Sequence, residues 1–220
     1  MIETSFNVFL WLVVLLSLSF VLNNLWKKIL SGKKYYVFLI PGIMIHELSH
    51  ALACRLVGAK IDEINLFSQQ GGHVKYRSPK LPILGDMFIG FAPILGGIGV
   101  LLFFSWLFGL QITTIQELPS FIMANWLNWQ FWIFIYLIIS IIICLAPSKQ
   151  DIKNALGGIL VIFILGIIFH KLGFFPQFLG IILNQYLGNV LTLSAIFGFL
   201  AIIFTLPIYF FRKNANISII

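Results

Sequence analysis

Six times between residues 6 and 211 this chain runs apolar for long enough to cross a bilayer: 6–22, 35–57, 87–110, 126–146, 155–171 and 190–211. Hydrocarbon offers no water to backbone N–H and C=O groups, so an immersed segment must pair them internally, as a helix or within a closed barrel. Runs of about 17–25 residues match the helical option. The composition, 60% hydrophobic and 10% charged with a mean hydropathy of +1.02, excludes an ordinary soluble domain. The expected fold is an all-α polytopic membrane protein of about six transmembrane helices, a single domain over 1–220 with its core at 35–171. No linker, soluble extension or internal repeat interrupts it. The start, Met1-Ile2-Glu3-Thr4-Ser5, carries no Lys or Arg, and further spans follow, so the first helix reads as retained rather than cleaved. Residues 173–187 are apolar but broken by Pro176 and Gly180, and read as an interfacial or re-entrant segment.

Inside the second apolar run sits His46-Glu47-Leu48-Ser49-His50. At i and i+4 the two imidazoles leave one face of a helix together, where they can hold a zinc ion. Glu47, one position on, can take a proton from a water at that ion. Burying two His and a Glu in hydrocarbon is costly, so the trio reads as a functional site. Chance would place this pattern in about one chain per thousand of this composition.

The loop after that helix, 58–86, alternates Ile64/Leu66 and Val74/Tyr76 around a Gly-rich turn, the pattern of a small membrane-associated β-hairpin. The net charge of +7 is spread over separate loops, which fits membrane orientation and lipid contact and not nucleic-acid binding. Under six-span alternation one side collects Arg55, Lys60, Lys75, Arg77, Lys80, Lys149, Lys153, Arg212 and Lys213, nine residues. The other collects Lys27, Lys28, Lys33, Lys34 and Lys171, five. The larger group marks the cytoplasmic face, placing the hairpin loop there, although the four lysines of the first loop argue the other way. Localisation is read as multi-pass in the cell (plasma) membrane. Cys54 and Cys144 fall in apolar spans and read as two reduced, buried thiols.

A catalytic zinc takes three protein ligands and leaves a position for water. The third must come from the few acidic residues. Glu3 is terminal, Glu47 is the base, and Glu117 falls on the far side under six-span alternation; Asp62, Glu63, Asp86 and Asp151 remain. Asp151 is favoured because Pro147 breaks the chain where the fourth span ends, and the fifth begins on the side where the His-Glu helix ends. His50 lies seven residues before Val57, about 10 Å below that surface. Asp151 also reads as a helix cap, and Asp86 is the second candidate. Cys54 reads as packing, His73 as solvent-facing or substrate-adjacent, and His170 as interfacial. Gly96-Gly97 and Gly157-Gly158 read as sites of close helix packing.

Taken together, these residues make the chain resemble the site-2 protease family of intramembrane zinc metallopeptidases. His46-Glu47-Leu48-Ser49-His50 within a span is one likeness. Gly71-Gly72-His73-Val74-Lys75 is similar to the Gly-Gly-aromatic-Val-Lys stretch of that family's membrane-dipping β-loop. An Asp after a Pro at the end of a later span, Pro147 to Asp151, is the third, and Phe91-Ala92-Pro93-Ile94 loosely resembles a Gly-Pro element. Two features depart from the pattern: Ile152, not Gly, follows Asp151, and the Asn expected after the Gly-Pro element is missing; no PDZ domain is attached. The resemblance implies one zinc per chain held by His46, His50 and Asp151, with Glu47 as general base. It implies a substrate that is a transmembrane helix or membrane-embedded peptide, cut near the cytoplasmic face. A strand at 72–76, with Gly71, Gly72, His73 and Val74 as substrate-binding residues, would hold the unwound backbone by strand addition. The alternative is a non-catalytic, protease-like membrane protein that retains or regulates clients, with a regulatory membrane partner. A metal or solute transporter ranks below both, because repeated halves are missing.

Overall fold

The computed structural model describes residues 2–30, 32–66, 68, 71–107, 118–171 and 188–217. They form helices α1 (Ile2–Ile29), α2 (Lys33–Phe38) and α3 (Ile40–Leu56), then strands β1 (Ile61–Asn65) and β2 (His73–Tyr76). Helices α4 (Pro82–Leu107), α5 (Leu118–Asn125), α6 (Trp129–Cys144), α7 (Lys149–Lys171) and α8 (Gly188–Ile217) follow.

The six-span expectation is corrected. Among the described residues three helices are long and apolar enough to cross a membrane, within α1, α4 and α8. Helices α6 and α7 make a fourth only as one unit, bent by 65° at a short break. The sequence shows two apolar runs there, but Leu145 to Ser148 interrupts the helix in the middle of a crossing, since Pro147 lacks the N–H that would continue it. The His-Glu helix α3 has 17 residues and is lodged among the longer ones. Residues 173–187, expected to be interfacial or re-entrant, lie outside the described residues.

Helix α3 runs beside α6 in the same direction, and the seam explains how a kinked helix survives in an apolar core. Pro41 near its start separates α2 from α3, parting Phe38 C=O from Gly42 N–H, which would pair in a continuous helix. Two side chains of α6 serve both halves: Tyr136 Oη donates to Phe38 O at 2.7 Å, and Ser140 Oγ accepts from Gly42 N at 3.0 Å. A Cβ at Gly42 would overlap the Ser140 carbonyl, so only glycine admits this approach. Gly96 meets Ser49, Gly97 meets Leu145 and Gly158 meets Met87 in the same way, so these glycine pairs do sit at helix contacts.

Helix α3 ends in a Schellman motif. Gly58 adopts φ +72°, Ala59 N donates to Cys54 O at 2.8 Å and Gly58 N to Arg55 O at 3.4 Å. The turn redirects the chain into the hairpin at once. Strands β1 and β2 pair antiparallel, with Glu63 opposite Lys75, Ile64 opposite Val74 and Asn65 opposite His73, and a bulge at Asp62. Ile61, Val74 and Tyr76 face inward onto Ala53, Cys54, Ala59, Ile89 and Ala92. Glu63 and Lys75 face outward, 2.6 Å apart.

Helix α8 lies along α1 and ends at the same side of the bundle: Leu18 lies against Gly198, and Lys28 Nζ sits 5.7 Å from the Tyr209 ring centroid. Arg212 and Lys213 therefore share a side with Lys27 and Lys28. Lys171 moves the other way, because α7 runs antiparallel to α4 toward the hairpin side, with Gly90 against Ala155 and Gly158 against Met87. Nine against five becomes eight against six, and the basic-residue argument for a cytoplasmic hairpin keeps half its margin.

Candidate metal centre

Two helices bring three ligand atoms together. His46 and His50 stand one turn apart on α3 with ring centroids 5.0 Å apart. Asp151 enters from the first turn of α7: its Oδ1 lies 3.2 Å from His50 Nε2 and its Oδ2 lies 3.7 Å from His46 Nε2. All three donor atoms fall within 4.8 Å of one another. Ligands about 2.0–2.1 Å from a tetrahedral zinc would lie about 3.3 Å apart, so the observed spacing fits such an ion.

The hydrogen bonds around the rings fix which nitrogens are free. His46 Nδ1 lies 2.8 Å from Cys144 O, and His50 Nδ1 lies 2.9 Å from Ile89 O. A carbonyl only accepts, so each Nδ1 carries its hydrogen and a neutral ring presents the Nε2 lone pair inward. The Asp151 carboxylate is an acceptor as well. Three acceptors converging in a buried pocket require positive charge between them. Protonating both rings would set two cations side by side, whereas one divalent ion satisfies all three groups. The cluster could therefore hold a metal ion.

Asp151 also caps its helix. Its Oδ2 accepts from Ser148 N at 2.7 Å, and Asp151 N donates to Ser148 Oγ at 3.2 Å, a capping box with Ser148 at the N-cap. Ligand and cap, alternatives in the sequence, are one side chain in two roles. The break before it is held by α1: Ser19 Oγ accepts from Ala146 N at 2.8 Å, and both Ser19 Oγ and Asn23 Nδ2 donate to Ile143 O at 3.3 Å. Ser19 is fully buried. These backbone groups, freed by the break, would each cost about 1–3 kcal/mol if left unpaired.

Glu47 is buried beside the cluster and lines a cavity of about 570 Å³ together with Asn23, Lys27, Tyr36, His46 and Gly72. That volume is ordinary for a ligand site. The tip of the hairpin forms one wall: a Cβ at Gly72 would strike Glu47 Cγ, and one at Gly71 would press on the Tyr36 ring. Of the residues expected at the substrate, Gly71 and Gly72 reach this cavity. His73 lies on the outer face, 3.1 Å from Glu63, and Val74 packs inward on the small cluster beneath the sheet.

The remaining candidates lie elsewhere. Asp86 interacts with the Tyr76 hydroxyl, Cys54 is fully buried in the packing under the hairpin, and Glu117 is outside the described residues. Both cysteines are unpaired thiols. Ser19, Asn23 and Asn154 were not legible as site residues, because a lone Ser or Asn in an apolar helix has no spacing signature; Asp151 was read as a cap, without Ser148 as its partner.

No protein-family model, curated protein or solved structure matches this chain.

Proposed function

We propose that this chain is a multi-pass membrane protein of the cell (plasma) membrane acting as an intramembrane zinc endopeptidase. The observation that carries the reading is the convergence of His46 Nε2, His50 Nε2 and an Asp151 carboxylate oxygen beside Glu47, at one end of a cavity walled by a glycine-rich hairpin tip. His46, His50 and Asp151 would hold the ion; bound there, zinc polarises a carbonyl and lowers the pKa of a water. Glu47 takes the proton of the attacking water and passes it to the leaving amine. Gly71 and Gly72 bring the hairpin backbone up against Tyr36 and Glu47, and the backbone of residues 72–76 pairs with an extended peptide by strand addition. A helical substrate must unwind to be cut, because its peptide groups are otherwise tied up in their own hydrogen bonds. The substrate class is a transmembrane or membrane-embedded peptide, cut on the hairpin side of the membrane.

The test uses the purified protein in nanodiscs. About one zinc per chain should copurify or be taken up, and a membrane-helix reporter should be cleaved. Glu47→Gln should reduce cleavage at least about 100-fold, within the range of a lost general base, with zinc retained. Unchanged cleavage by that variant would sink the mechanism. Unchanged biological effect in both Glu47→Gln and His46→Ala would instead mark a protein that holds clients without cutting them.

A further inference from the structure

Strand β2 is tied to the metal cluster by a residue that touches no ligand. We propose that Tyr76 is a positioning residue that joins β2 to the two elements orienting His50 and Asp151, so that strand position and metal binding are coupled. The inference rests on the metal-site reading above.

Two routes leave Tyr76. Its ring packs in the cluster that includes Ile89, and the carbonyl of Ile89 is the partner that orients the His50 ring. Its hydroxyl accepts from Asn154 Nδ2 at 2.8 Å, and Asn154 is one turn beyond Asp151, on the same face of α7. Asn154 Oδ1 is itself held by Gln150 Nε2 at 2.8 Å. Because Asn154 donates, the phenolic hydrogen is free for Asp86 on α4, whose carboxylate interacts with it. Burial first, then the Asp86 charge, pushes the Tyr76 hydroxyl up to about 12, so it remains a donor. A partly buried phenol needs only one partner to be satisfied. This one has two, on two helices, α4 contributing the carbonyl that orients one ligand and α7 carrying another. An element that moves β2 must therefore move the first turn of α7, and an ion that fixes Asp151 must fix β2.

Linkage makes the coupling measurable, because the factor by which zinc steadies the strand equals the factor by which the strand steadies zinc. Hydrogen exchange of the Val74 and Tyr76 amides is measured in nanodiscs, with zinc saturating and after chelation, alongside zinc affinity by competition. In the native protein zinc should slow this exchange about fivefold or more, the lower end of typical couplings. Tyr76→Phe keeps the ring and removes the hydroxyl; it should lose most of that protection and the same factor in zinc affinity. Asn154→Ala should do likewise, and the double variant no worse than either, since both cut one connection. Asp62→Asn, which breaks an exposed ion pair of the hairpin with Arg77, should leave the zinc effect unchanged, separating coupling from general loosening. Full zinc protection of β2 in Tyr76→Phe overturns the proposal, as does native exchange indifferent to bound zinc. No zinc binding by the native protein overturns the metal-site reading and this inference together.

Discussion

At the scale of single residues, Asp151 carries two jobs that substitution can separate. It is 7% exposed, so each oxygen matters: one faces His50 Nε2 and the other both His46 Nε2 and the Ser148 amide. Asp151→Asn removes the negative charge while leaving an amide oxygen able to accept from Ser148. Zinc affinity, measured against a chromophoric chelator, should fall at least about 100-fold, beyond what a supporting residue costs. Ser148→Ala breaks the capping box from the other side and keeps the carboxylate. It should cost about 0.5–2 kcal/mol of stability, as caps do, and at most about 10–100-fold in zinc affinity. If the two variants weakened zinc equally, Asp151 would be a cap and no ligand. His46 and His50 were legible from spacing because an i, i+4 pair on a helix needs no tertiary information. Asp151 was legible less directly, by elimination among the acidic residues and by the break at Pro147, since its partners lie about 100 residues away.

At the scale of elements, close approach and surface charge act differently. The α3–α6 seam depends on Gly42, whose missing Cβ makes room for the Ser140 carbonyl. Gly42→Ala should destabilise the protein by about 1–3 kcal/mol, the usual cost of overpacking, read as a fall in the thermal midpoint. Gly99→Ala on α4 is the control: nothing lies within 4 Å of the added methyl, and helix propensity favours Ala by about 1 kcal/mol. A larger loss at Gly99 than at Gly42 would contradict the packing. The hairpin has an exposed charge cluster instead. Lys75, and after it His73, hold the Glu63 carboxyl below its usual value. A depressed carboxyl contributes stability above its unfolded value and loses it as pH falls through the folded one. Hairpin hydrogen exchange, normalised to intrinsic rates, should therefore rise only below about pH 4.3, and Glu63→Gln should flatten the profile. The effect should be small and shrink with salt, as for any solvent-screened pair. The hairpin itself was readable from period-two alternation. The division of its faces was not, because the bulge at Asp62 shifts the register in a way that alternation does not encode.

At the scale of the whole molecule, hydropathy counted apolar runs correctly and crossings incorrectly. A run of apolar residues states that a segment belongs in hydrocarbon; it does not state whether the helix continues, and the break from Leu145 to Ser148 splits one bent crossing into what reads as two. The consequence is a change of sidedness for everything beyond it. Six spans place the α1–α2 corner and the end of α8 on opposite sides of the membrane. The structure places them together, with Lys28 over the Tyr209 ring. Single cysteines at Lys33 and at Lys213, both exposed on their helices, can be introduced after replacing the buried Cys54 and Cys144 with Ala. In sealed vesicles of one orientation, a membrane-impermeant thiol reagent should label both positions from the same side, and a cysteine at Lys60 from the other. The last comparison matters most for function, because Lys60 sits where α3 hands over to the hairpin, on the side from which the cavity wall is built. If Lys33 and Lys213 labelled from opposite sides, the pairing of α1 with α8 would be wrong. The eight-against-six count of basic residues would then revert to nine against five under six-span alternation. If they label together, charge favours the hairpin side by two residues instead of four, and the side reached by the reagent at Lys60 identifies the compartment that the hairpin faces.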